Sequence, residues 1–271
     1  MSTRVRIIIT TITVPVVFIL ISLASPQLAG LGNSSALIPP LALMIIEMFL
    51  MAWVVNFKLK GERLFSVLMF PALSLAILVG FIDILILSYE KTLDKLTIIL
   101  LAAAIIAALT YILTASMNIL NLAAIRNVPL GQAGRAAHYV LTMIFSYLTF
   151  VLLVSFEAGL AIKLALTFAF IFTYTFAALW TIGLQYSQRV VSSLGISFLL
   201  VFVFFILSIW PLQTFFFALF MTFLYYMCLG VALELREIIR NWIWYEYLAI
   251  FVVMILILLT TASWGINGTI I

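Results

Sequence analysis

Apolar residues come in long blocks along this chain, and polar residues collect in short turns between them. The blocks do not alternate as strands would. Each continues for about 20 residues, the length of helix that crosses a hydrocarbon layer of about 30 Å. In order they run from Ile7 to about Leu31, Ala36 to Phe57, Leu64 to Tyr89, Leu96 to Ile125, Ala136 to Phe156, Gly159 to Tyr186, Val190 to Trp210, Thr214 to Leu233 and Leu248 to Trp264. The pattern predicts about nine spans. Pro39 and Pro40 fall in the first turn of the second span, where proline is tolerated. Pro71 and Gly80 lie inside the third and mark it as a candidate interrupted helix. Ser22-Leu23-Ala24 has the small residues of a signal-peptide cleavage site, but the apolar run continues past it, so the first block reads as an uncleaved span.

Composition removes the soluble alternative. The 271 residues are 67% hydrophobic and 8% charged, with a mean hydropathy of +1.35. A soluble domain is about 45–50% apolar and about 25% charged. In lipid the backbone must satisfy its own hydrogen bonds, so helices or a closed barrel are the choices. A barrel would alternate over segments of about 10 residues. The fold class is therefore all-α, a polytopic transmembrane helix bundle forming a single integral-membrane domain over residues 1–271.

Charge adds an orientation. With the N-terminus inside, Arg4, Arg6, Lys58, Lys60, Arg63, Arg126, Arg135, Arg189, Arg236 and Arg240 fall on the inner side, and Lys91, Lys95 and Lys163 on the outer. Ten against three accounts for all 13 basic residues and predicts N-in, C-out with an odd number of spans. The basic residues form no patch, so the net charge of +4 points to no nucleic acid. Trp242, Trp244, Tyr245 and Tyr247 cluster at the predicted inner boundary, where amphipathic rings prefer to sit. Their stretch, from Glu234 to Tyr247, reads as a short helix in the headgroup plane or an extension of span eight.

The residues that could carry chemistry are few. Glu47 falls near the centre of span two and Asp83 toward the outer end of span three. A buried acid costs at least about 2.5–3.5 kcal/mol and faces a bundle interior or a wet cavity. Their depths differ by about 7 Å at the helical rise, too far for a shared-proton dyad. Glu47 reads either as a carboxyl clasped to a neighbouring helix or as part of a cation relay. Lys163 enters span six from outside, where it either pairs with Asp83 or snorkels to the headgroups. Asn118 and Asn121 share one face of span four with Thr114 and suit an interhelical amide clasp. Arg126 and Arg135, with free backbone N–H groups around Gly134–Ala137, suit a lipid headgroup or a docking partner. His138, the sole histidine, would lie in the first turn of span five beside them. No metal-ligand spacing accompanies it, and Cys228 is the one cysteine, so neither a metal centre nor an intramolecular disulfide is expected. Gly195-Ile196-Ser197 has the Gly-x-Ser of intramembrane serine proteases, but Phe198 follows where glycine is needed. No catalytic residue or cofactor is assigned.

The segment Asn121-Leu-Ala-Ala-Ile-Arg-Asn-Val-Pro-Leu130, followed by Ala-Gly-Arg-Ala-Ala and two phenylalanine-rich spans, resembles an uncharacterised family. It is a multi-pass membrane protein family, defined only as a domain of unknown function, from small-genome candidate-phyla bacteria. The likeness covers about residues 118–180. It implies a bacterial cytoplasmic membrane and a shared feature at Arg126, Pro129 and Arg135, and it brings no activity.

Three function classes fit these residues. Minimal loops and few buried ions favour a non-enzymatic scaffold or assembly partner, whose partners would be membrane lipids and other membrane proteins. Glu47 and Asp83, in two proline- and glycine-bearing spans, fit a small carrier instead. A lipid-modifying enzyme would use Arg126, Arg135 and His138 at the inner headgroup level.

Overall fold

The computed structural model describes residues 1–28, 38–57, 61–89, 95–124, 131–234 and 241–261. Within them every regular element is an α-helix: α1 (Thr3–Leu28), α2 (Ile38–Val54), α3 (Glu62–Tyr89), α4 (Lys95–Ala123), α5 (Gly131–Ser155), α6 (Leu160–Thr181), α7 (Tyr186–Leu207), α8 (Thr214–Glu234) and α9 (Asn241–Thr261). Among the described residues, seven helices are long and apolar enough to cross a membrane. The other two are α2, with 17 residues, and α9, whose apolar part is Tyr245–Thr261. At the helical rise, α2 spans about 26 Å, close to the hydrocarbon thickness. The chain is an all-α, multi-pass membrane protein.

Several boundaries differ from the sequence reading. α1 takes in Arg4 and Arg6, and α5 starts at Gly131 instead of Ala136. The amides around Gly134–Ala137 therefore lie inside a helix, bonded to carbonyls one turn back. Trp242–Tyr247 belongs to α9, and residues 235–240 of the stretch expected to lie in the headgroup plane are outside the described residues. No glycine or proline separates these residues from the apolar run, so nothing stops the helix. α3 runs unbroken through Pro71 and Gly80, so the expected interruption is absent. Pro71 still removes one backbone donor, the one that would have served the Val67 carbonyl.

The chain forms two compact units, Met1–Phe145 and Ser146–Ile271, with the boundary inside α5. In the first, α1 packs on α2 and α4, α2 on α3, and α3 on α4. These pairings close a ring of four helices. Short connections make sequential helices antiparallel, and side chains tie their ends. Arg6 Nη1 donates to the Trp53 carbonyl at 2.8 Å and to Asn56 Oδ1, so the start of α1 caps the end of α2. Asn56 and Phe57 close that end in the left-handed region, at φ 60° and 53°. The first half of α5 lies against this ring. The His138 and Phe70 rings sit 4.2 Å apart, and a side chain on Gly134 would meet Ile119 at 3.0 Å.

In the second unit α6 packs on α7, α7 on α8, and α8 on α9. Aromatic rings fill these seams, including Phe168 on Phe198 at 5.0 Å, Phe204 on Phe217 at 5.0 Å and Tyr226 on Tyr247 at 6.0 Å.

Candidate functional site: a polar interior in the first unit

Hydroxyl side chains are common in these helices, and most have a local solution. Thr10, Thr142, Thr167, Thr173, Ser197 and Thr222 each donate to the carbonyl four residues back in their own helix. Such groups ask nothing of their neighbours. Thr114 departs from the habit. Its Oγ1 donates across the ring to Glu47 Oε1 at 3.3 Å, linking α4 to α2. Because α2 and α4 stand on opposite corners of the ring, this bond places Glu47 and Thr114 on its inner side.

The α4 residues that share this face follow from the helical repeat. Thr110, Asn118 and Asn121 lie within about 40° of Thr114 at roughly 100° per residue. Thr110 and Asn121 are buried, and Asn118 is half-buried. Glu47, Thr110 and Thr114 are 1%, 1% and 0% exposed. Among the described residues, Glu47 Oε2, Thr110 Oγ1 and Asn121 Oδ1 have no hydrogen-bond partner. Buried polar atoms are satisfied in the great majority of cases, by protein or by ordered water. Unpartnered oxygens on one internal face are therefore places for water or a ligand. Beyond Thr110 the same face turns apolar, through Ala103, with Leu43 one turn beyond Glu47 on α2.

Glu47 stands near the middle of α2, as expected, nine residues after Ile38 and seven before Val54. That places it about 10 Å from the Arg6–Asn56 end of the unit. Asp83 stands 21 residues into α3, so the two carboxyls differ by about 21 Å in height, not about 7 Å. The difference arises because α2, at 17 residues, is much shorter than α3, at 28, so heights taken from their other ends do not agree. The separation again excludes a shared-proton dyad. Asp83 itself is half-buried.

A second group surrounds His138. It is 1% exposed, packed on Phe70, and neither ring nitrogen has a partner among the described residues. Ser66 and Ser74, one turn either side of Phe70, are buried with free hydroxyls. Arg135, three residues before His138, is exposed. The residues grouped for a headgroup thus diverge, because the earlier start of α5 carries His138 deeper and away from the surface. Arg126 lies outside the described residues. Lys163 is half-buried and donates to the Val154 carbonyl at 3.0 Å, capping the end of α5.

Sequence reasoning missed Thr110, Ser66 and Ser74, which look like ordinary hydroxyls in an apolar run. Thr110 carried one signal, its place one turn before Thr114. Arg189, expected only as an inner-side charge, is 4% exposed, 5.4 Å from the Phe176 ring centre and 5.9 Å from that of Tyr186. Among the described residues no three His, Cys, Asp or Glu side chains gather where a metal ion could be held. No protein family, curated protein or solved structure matches the chain.

Proposed function

We propose that this multi-pass membrane protein is a small carrier that works through the polar interior of its first unit. The carrying observation is Glu47, a buried carboxyl with one oxygen held by Thr114 and the other unpartnered. A scaffold needs its interior polar groups satisfied, because an unmet buried polar group costs about 1–3 kcal/mol. A carrier needs some of them open. The scaffold reading rested on few buried ions and small loops, and it leaves the free oxygens of Glu47, Thr110 and Asn121 unused.

Water access decides between the two. In a Cys228→Ser background, Asn121→Cys and Thr110→Cys should react with a hydrophilic thiol reagent in reconstituted protein. Ala103→Cys, on the same face but in the apolar half, should not. If neither polar position reacts, the interior is dry and the scaffold reading replaces this one.

A further inference from the structure

The proposed carrier has a definable cargo class. We propose that Glu47, Thr114 and Thr110 bind one monovalent cation, a proton or an alkali ion, reached from the Arg6–Asn56 end. This deepens the carrier reading and rests on it.

Charge sets the valence. Among the described residues the ring interior offers one carboxylate, Glu47, and the other groups on the Thr114 face are neutral hydroxyls and amides. Arg6, on α1, is held by Trp53 and Asn56 at the end of the unit, about 10 Å along the bundle from Glu47. A buried charge must be balanced within the low-dielectric site. One monovalent cation balances one carboxylate, whereas a divalent ion would leave a net positive charge with no second acid near. Asp83 is about 21 Å further along the bundle and cannot supply it.

Donor type sets the chemistry. The free atoms are oxygens: Glu47 Oε2, Thr110 Oγ1 and, nearer the end, Asn121 Oδ1. Oxygen ligands suit hard cations and protons, not soft metals. The Thr114 hydroxyl can donate to Glu47 Oε1, as it does here, or present its oxygen to an ion.

Polarity sets the direction of entry. Asn121 lies two residues from the end of α4, then comes the Glu47–Thr114 level, then Thr110. These form steps of about 6–11 Å along the helix at its rise per residue. Past Thr110 the face continues as Ala103, with Leu43 blocking the α2 side, and both are buried. One end of the site is therefore lined with polar groups and the other is sealed.

The test is carbodiimide labelling of the reconstituted protein. Dicyclohexylcarbodiimide adds to a protonated carboxyl in apolar surroundings, and mass spectrometry of the Glu47 peptide reads the adduct. Titration with NaCl, LiCl or KCl at fixed pH and ionic strength separates the two cations. If an alkali ion binds, labelling slows by about tenfold at roughly ten times its dissociation constant, and Thr114→Val loses that protection while still labelling. If the proton is the cargo, labelling falls with rising pH and ignores all three salts. The proposal is overturned if the Glu47 peptide stays unlabelled at every pH, or if only Mg2+ or Ca2+ protects it. Reactive thiols at positions 121 and 110 with either overturning result would leave the carrier standing and remove its cation. Unreactive thiols would remove the carrier itself.

Discussion

Single side chains fix this protein at points that their residue types do not announce. Arg6 is the clearest case. In a sequence it is one more basic residue near an N-terminus, yet it donates to the Trp53 carbonyl and Asn56 Oδ1 and lies 5.5 Å from the Trp53 ring centre. A charged donor at a helix C-terminus satisfies orphan carbonyls and opposes the helix dipole. Arg6→Ala should cost about 1.5–3 kcal/mol, the range for hydrogen bonds to a charged group. Arg6→Lys should recover only part, since an ammonium lacks the planar fork. Thermal unfolding in detergent checks this, and equal midpoints for all three proteins would refute the cap. Glu47 stood out as a buried acid and Thr114 shared a face with Asn118 and Asn121, but the pairing of the two was not legible. The helical repeat tells which residues share a face of one helix and not how two helices are rotated against each other. His138 was misplaced for a related reason. Its depth depends on where α5 begins, and the polar residues from Gly131 to Arg135 look like a turn while forming helix.

At the scale of the helix, the apolar blocks were readable because lipid leaves the backbone no other partner than itself. Ends were harder to read, since hydrogen bonding carries helices beyond the apolar run, as at Thr3–Arg6 of α1 and Gly131–Arg135 of α5. Contacts between helices depend on small residues whose role appears only when the partner is known. Gly230 of α8 is one. A side chain there would collide with the Tyr247 hydroxyl of α9 and come within 3.0 Å of its Cζ. Tyr247 is 8% exposed, with Tyr226 against its ring, so it has little room to yield. Gly230→Ala should therefore destabilise the second unit by about 1–3 kcal/mol, the usual cost of overpacking. Adding Tyr247→Phe removes the colliding oxygen but leaves the ring carbon close, so the double variant should regain part of the loss. Unfolding midpoints of the two single variants and the double form a cycle, and strict additivity would show that the two residues do not touch.

At the scale of the whole molecule, the described arginines of the first unit gather at one end. The Arg6–Asn56 bond brings the start of α1 to the end of α2, and Arg63 follows at once in α3. The close approach of Gly131 to Ala123, at 3.2 Å for an added side chain, brings the start of α5 to the end of α4. Antiparallel order then puts Arg4, Arg6, Arg63 and Arg135 at one end of the unit. Positive residues near short loops are retained in the cytoplasm, so this end should face it. The proposed polar path to Glu47 starts at the same end, so the site is expected to face the cytoplasm. Cysteines placed at Lys60 and Lys91, on either side of α3 in a Cys228→Ser background, test the threading. With an impermeant thiol reagent on intact cells, position 91 should label and position 60 should label only after the membrane is opened. The reverse result would turn the mouth of the site outward while keeping the bundle intact. Labelling of both from one side would mean that α3 does not cross, and the ring around Glu47 could not then stand in a membrane as described.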